Sequence, residues 1–272
     1  MNIPQTIAGE LSLGLHQIEN ALALFAEGGT VPFIARYRKE RTGEMNETQL
    51  RTLLERHAYL SELEDRKAAV LKSIGEQGRL TGQLQSAIEA CRQKTELEDL
   101  YLPYKPRKRT RATVARGKGL EPLAALLRDL NRPGAPAADL EAEAARYVSA
   151  ETGVSGARDA LAGASDILAE EVSERAHLRR HLRQFLLREG AFVSRIGEEY
   201  PEGTTRFEMY RDYRVPVGDI APHNMLALRR GETEGVLSFT VEFDADAATA
   251  YLESEEIRSS QPEVVAFYRA MI

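Results

Sequence analysis

The sequence predicts a mainly α protein: a multi-helix array with a long spine helix, a helix-turn-helix-like element and a small α+β segment near the C-terminus. Three observations carry this. Ala, Leu, Glu and Arg, all good helix formers, dominate the 272 residues. Apolar residues recur at helical spacing through most of the chain before Gly190. Alternation at strand spacing appears only after it. At 43% apolar and 29% charged, the composition is globular and supports one large core or two ordinary ones.

The elements follow in order. A short amphipathic start precedes "HQIENALALFAEGG", where Ile18, Leu22 and Phe25 share a face and a Gly pair suits a helix end. "NETQLRTLLERHAYLSELEDRKAAVLKSIGEQG" is the spine. Asn46 is its expected cap, with Gln49 at the capping-box position. Leu50, Leu53, Leu54, His57, Leu60, Leu63, Val70, Leu71 and Ile74 make its apolar stripe, and Gly75 and Gly78 stop it. Thr81 is expected to cap the next helix, and another is expected to begin at Thr95 and end before Pro103.

"GLEPLAALLRDL" reads as a short helix, and "NRPGAPAA" (131–138) as a linker. "DLEAEAARYVSA" and the long run "ARDALAGASDILAEEVSERAHLRRHLRQFLLREG" are helical again. "AFVSRI" and "GVLSFTVEFD" read as strands, with "HNMLALRRG" a helix between them. The expected organisation is a helical domain over 1–130, a helical continuation over 139–190 and a mixed segment over 191–272.

No run of apolar residues approaches the roughly 20 needed to cross a bilayer. The N-terminus has no secretory pattern and Cys91 stands alone, so a cytoplasmic location without membrane contact is expected. Catalytic constellations are weak. His57 falls on the spine stripe, where a packed core histidine is expected. His177 and His181 have metal-compatible spacing but lie among arginines, whose charge repels a cation. Glu242, Asp244 and Asp246 would share one face of a strand, yet no second carboxylate cluster accompanies them. There is no phosphate-binding loop, nucleophile elbow or dinucleotide fingerprint. No catalytic residue, metal or cofactor is expected, and the chain is not expected to be an enzyme.

Charge patterning is more informative. The chain is net acidic, at -6, yet "KPRKRTRATVARGK" (105–118) holds seven cations in fourteen positions and no acid. These are Lys105, Arg107, Lys108, Arg109, Arg111, Arg116 and Lys118, preceded by Tyr101 and Tyr104, rings able to stack on bases. Such a cluster binds phosphates by releasing condensed counterions. A secondary basic surface is expected from Arg36, Arg38, Lys39 and Arg41 in "ARYRKER". Arg179, Arg180 and Arg183 add to it, opposite the apolar edge of Leu178, Leu182, Phe185 and Leu186. "ATVARGKGLEPLAALL" carries the Ala115 and Gly119 spacing of a helix-turn-helix, though Lys118 and Arg128 stand where apolar residues are usual.

"GGTVPFIARYRKERTGEMNETQL" (28–50) and "TELEDLYLPYKPRKRTRATVARGKGLEPLA" (95–124) resemble the bacterial Tex family of transcription accessory proteins. "APHNMLALRRGETEGVL" (221–237) resembles a third family block, with Asn224 where members usually place a basic residue. Members continue into an RNase H-like domain, helix-hairpin-helix elements and an S1 domain, whose signals do not occur in this sequence. The chain therefore resembles the N-terminal part of such a protein. The family is also similar to the core of a eukaryotic elongation factor that associates with RNA polymerase and histones. The resemblance implies nucleic-acid binding linked to transcription, without established catalysis. It implies single-stranded RNA or DNA and RNA polymerase or other transcription proteins as partners. Two roles stay open: direct, sequence-nonspecific phosphate contact through 105–118, or a helical scaffold that docks proteins and does not itself bind nucleic acid.

Overall fold

A computed structural model describes residues 1–106 and 109–272. The chain forms two compact units, Met1–Lys105 and Pro106–Ile272. Each is described by itself.

The first unit is helical: α1 (Ile3–Leu11), α2 (Leu15–Ala26), α3 (Val31–Tyr37), a 3-10 turn (Lys39–Thr42), α4 (Glu47–Glu76), α5 (Gly82–Ala90), α6 (Lys94–Tyr101) and a closing 3-10 turn (Leu102–Tyr104). α4 is the spine, begun by the expected capping box. The Gln49 amide donates to Asn46 Oδ1 at 2.9 Å and the Asn46 amide to Gln49 Oε1 at 3.0 Å. Leu50, Leu53, Leu60, Leu63, Val70 and Ile74 are its buried stripe, packed with Ile7, Ile18, Ile34, Met45 and Leu97 from the surrounding elements. Each such side chain contributes about 1.5–3 kcal/mol by leaving water.

Two expectations about this unit need correction. His57, between Leu53 and Leu60 on the stripe, is only half-buried. The stripe also runs through Lys67, which is buried with its ammonium partnered: Nζ donates to the Glu89 carbonyl at 2.9 Å and pairs with Glu64 at 2.8 Å. Nor does α6 begin at Thr95; it starts one residue earlier, at Lys94. The Lys94 amide donates to the Tyr59 hydroxyl at 3.0 Å, so a side chain of α4 satisfies an orphan donor at the start of α6.

α1 is held to α4 by a bidentate pair, Arg56 Nε and Nη2 to the Glu10 carboxylate at 2.5 and 2.8 Å. α2 clamps the loop after α3. Gln17 Nε2 donates to the Gly43 carbonyl at 2.7 Å and Asn20 Nδ2 to the Arg41 carbonyl at 3.0 Å. Gly43 has φ +60°, and a Cβ there would lie 2.3 Å from Gln17 Nε2, so both backbone and packing require glycine.

The second unit holds α7 (Arg111–Gly117), α8 (Glu121–Leu130), α9 (Leu140–Ala145), α10 (Ala157–Ser173), α11 (Ala176–Glu189), α12 (Pro222–Thr233), α13 (Ala245–Glu256) and α14 (Pro262–Met271). α7, α8, α9 and α14 pack around α10. The core holds Leu123, Leu127, Ala160, Ala164, Ile167 and Val264. Gly163 permits the closest approach, since a Cβ there would stand 2.4 Å from Leu120 Cδ1. The segment 131–138 is tied into this unit. Asn131 is buried, with Nδ2 donating to the Glu256 carbonyl at 2.7 Å while Oδ1 accepts the Arg258 and Ser259 amides at 3.0 and 3.1 Å. Gln261 Nε2 donates to the carbonyls of Ala135 and Pro136.

Burial in this core pushes the Tyr268 hydroxyl up to about 12. A folded value above the unfolded one near 10 means stability intact below pH 10 and lost as pH rises towards 12. Urea midpoints measured between pH 9 and pH 11.5 should fall less steeply for Tyr268→Phe than for the parent chain.

The long helical run after 156 is not one helix. Ser173 ends α10, Arg175 has extended backbone (φ -69°, ψ 114°), and α11 begins at Ala176. Arg175 Nη1 meets the buried Glu256 carboxylate here, a tertiary contact that no periodicity announces. Beyond α11 lies a three-stranded antiparallel sheet of β1 (Ala191–Ile196), β2 (Arg214–Pro216) and β3 (Leu237–Glu242), in the order β2-β1-β3. Ala191 pairs with both Pro216 and Glu242, and Ile196 with Leu237. α12 packs against the sheet through Leu228, joined by Phe207 and Tyr210. The expected carboxylate face is corrected: β3 ends at Glu242, and Asp244 caps α13 by accepting the Ala247 amide at 2.9 Å. Mainly α with a small α+β segment near the C-terminus is the fold.

Candidate nucleic-acid interface

The basic stretch is divided by its surroundings. Tyr101 is buried, its hydroxyl 3.1 Å from Ser73 Oγ, and so cannot stack on a base. Tyr104 is half-buried, with the Arg79 guanidinium 4.6 Å above its ring and its carbonyl accepting from Gln77. Lys105 is exposed. Arg107 and Lys108 lie outside the described residues.

From Thr110 the stretch becomes α7. Thr110 and Thr113 form a reciprocal cap, the Thr113 amide donating to Thr110 Oγ1 at 3.0 Å and the Thr110 amide to Thr113 Oγ1 at 2.7 Å. Thr110 Oγ1 also donates to Glu170 on α10 at 2.8 Å, which anchors the start of the helix. Ala112 and Ala115 face the core, which turns Arg111 and Val114 outward. The turn to α8 uses Gly119 at φ +79°, and buried Leu120 follows. α8 then buries Leu123, Ala124, Leu127 and Leu130, while Arg128 Nη2 donates to Glu171 at 2.8 Å.

α10 meets α7 with a row of carboxylates, and these decide which cations remain available. Arg116 divides its fork between α10 and α8: Nη1 reaches Glu170 at 2.6 Å and Nη2 lies 3.9 Å from Glu171, both on α10, while Nε meets Glu121 at the start of α8 at 2.9 Å. Lys118 lies 3.6 Å from Asp159. The Ser155 amide, first, and then Lys118 hold the Asp159 carboxyl below the usual range, so it stays charged at neutral pH. Arg111 is 3.3 Å from Asp166, yet its side chain is 89% exposed, and a pair so solvated contributes about 0–1 kcal/mol. Arg109 is exposed. Neither it nor Lys105 pairs with a carboxylate among the described residues. Arg109, Arg111, Val114, Lys118, Asp159 and Asp166 line a groove of about 400 Å³.

The secondary basic positions fall on both units. Arg36 on α3 and Arg38 just after it are exposed without a carboxylate partner among the described residues, whereas Lys39 lies 3.4 Å from Glu44 and Arg41 3.9 Å from Glu27. On α11, Arg180 is exposed, and Arg179 donates to the Ser173 carbonyl at 3.2 Å. Arg179 and Arg183 line an apolar groove of about 530 Å³ with Leu178, Leu182, Leu186 and Leu252, so they border the apolar edge and do not stand opposite it. His181 stacks on Tyr251 at 3.4 Å between ring centres. Among the described residues no group of three or more His, Cys, Asp or Glu could hold a metal ion. Among them no helix is long and apolar enough to cross a membrane. At the third family-like block, Asn224 is a structural link: Oδ1 accepts the Tyr210 hydroxyl and Nδ2 donates to the Tyr213 hydroxyl, both at 3.0 Å.

Sequence reasoning missed Phe33 and Tyr37, two residues of the first unit beside Arg36. They are aromatic and exposed, at 43% and 59%, on the same face of α3 as Arg36. Their signal was present: positions 33, 36 and 37 share a helix face, while Val31, Ile34 and Ala35 take the core side.

Comparison with known proteins agrees with these blocks. Residues 1–75 match the Tex-like protein N-terminal domain and residues 135–266 the Tex central region-like model. The transcriptional accessory protein Tex of Neisseria gonorrhoeae is 45% identical over 255 residues, 94% of this chain and 33% of that protein. Protein tex of Bordetella pertussis is 44% identical over 241 residues, 88% of this chain and 30% of that one. A human S1 RNA-binding domain-containing protein 1 is 27% identical over 233 residues, 82% of this chain and 22% of its own. The chain thus spans about a third of the length of the bacterial relatives it matches. With both characteristic domains in order and close relatives bearing the family name, this chain belongs to the Tex family of transcription accessory proteins.

Proposed function

We propose that this chain is the part of a transcription accessory protein that holds nucleic acid by sequence-nonspecific phosphate contacts at the basic stretch. The contacts are Lys105, Arg107, Lys108, Arg109 and Arg111, with Tyr104 beside them in sequence; Arg116 and Lys118 support that surface from α7 and the turn after it. The observation that carries the reading is that Arg109 and Arg111 stay exposed beside the α7 cap while the carboxylates of α10 engage Arg116. Nonspecificity follows from the chemistry, since a phosphate contact positions a strand without reading its bases. Single-stranded RNA or DNA is the ligand, and RNA polymerase or other transcription proteins are the context in which it is met.

Fluorescence anisotropy with single-stranded RNA and duplex DNA over a salt series tests this. Affinity should fall with salt, and changing Arg107, Lys108, Arg109 and Arg111 to Glu should flatten the slope, by about one unit per lost contact. Absence of binding at low salt returns the chain to the scaffold reading. That reading is favoured by the consumption of Arg116, Lys118 and Arg128 in internal ion pairs.

A further inference from the structure

We infer that α3 and the turn after it form a second nucleic-acid contact, an aromatic ledge on which unpaired bases stack while Arg36 and Arg38 hold the flanking phosphates. The inference rests on the reading that this chain meets nucleic acid, but on different residues and a different interaction. Phe33 and Tyr37 stand one turn apart with ring centres 5.6 Å apart and planes tilted by 45°. The Arg38 guanidinium lies 5.7 Å from the Phe33 ring centre, which steadies one ring and leaves Tyr37 the more open of the two. Two cations accompany the rings without a carboxylate partner among the described residues, Arg36 and Arg38, while Lys39 faces Glu44 and Arg41 faces Glu27.

The ledge is rigid without being covered. Ile34 is buried in the core beneath it, and the α2 side chains Gln17 and Asn20 grip the backbone of the following turn. Exposed aromatic rings held on a fixed element and ringed by cations satisfy what single-strand binding asks: a face for any base and charge for the backbone. A protein partner fits less well. Such an interface has an apolar core within an area of about 1,000 Å² or more. In this unit, among the described residues, the exposed large hydrophobic side chains are Phe33, Tyr37 and Met1.

Two ligands of equal length, oligouridylate and an abasic phosphodiester oligomer, separate stacking from charge. Phe33→Ala and Tyr37→Ala should each weaken oligouridylate binding about tenfold. They should leave the abasic oligomer, the salt slope and, because both rings face solvent, the melting temperature nearly unchanged. The chain has no tryptophan, so Tyr37→Trp supplies a single emission reporter at the ledge, which oligouridylate should quench and the abasic oligomer should not. Unchanged emission with binding intact would overturn the ledge and leave the Arg109 surface standing. Equal loss of both ligands in the alanine variants would overturn it as well, as would displacement by polyglutamate as effective as by oligouridylate, the behaviour of a protein-docking surface. If the parent chain binds neither ligand at low salt, the ledge and the basic-stretch reading fall together.

Discussion

Arg116→Glu is expected to destabilise the second unit by about 4 kcal/mol, a fall of about 10 °C in melting temperature measured by calorimetry. The change removes the cation that Glu121, Glu170 and Glu171 share and adds a fourth carboxylate among them. Glu170 is the most buried of the three, so its charge has the least water to fall back on. Arg116→Lys should recover only part of the loss, because one ammonium cannot serve three directions as a planar fork does. Arg116→Gln distinguishes structure from contact: if Arg116 chiefly holds α7 against α10, losing its charge should leave the salt slope of single-stranded RNA binding unaltered. Equal stability of parent and Arg116→Glu would refute the structural role.

Asn131→Ala is expected to cost about 3 kcal/mol, read as a lowered urea midpoint for the second unit. Its buried amide makes three hydrogen bonds, to the Glu256 carbonyl and from the Arg258 and Ser259 amides. Alanine leaves all three backbone groups without that partner. Asn131→Asp should also destabilise, since a carboxylate replaces the donor facing the Glu256 carbonyl with an acceptor. A midpoint unchanged in both variants would mean that solvent reaches these groups.

Much of the candidate site was legible as composition and little of it as arrangement. Seven cations without an acid mark 105–118 in any reading of the sequence. What removes Arg116 and Lys118 from simple availability is a set of acids some forty to fifty-five residues downstream, which only packing brings near. Tyr101 shows the same limit. An aromatic beside a basic run looks like a stacking ring until Ser73 and the Arg66 guanidinium, at 5.2 Å, are seen to occupy it. Phe33 and Tyr37 erred in the other direction, because apolar rings in a short helix are expected to face a core.

The sequence by itself determined the helical class, the spine and its cap, two of the three strands and membership of the Tex family. These depend on period, on local hydrogen bonding between residues three apart and on long contiguous motifs, all of which a chain carries without reference to its fold. Tertiary structure alone decided that Lys67 lies in the core, that Tyr59 starts α6, that the run after 156 breaks at Arg175, and which basic side chains face solvent with their charge unspent. Those outcomes depend on partners distant in sequence: a charge or an orphan amide goes where its counterpart is, and no local pattern states where that will be.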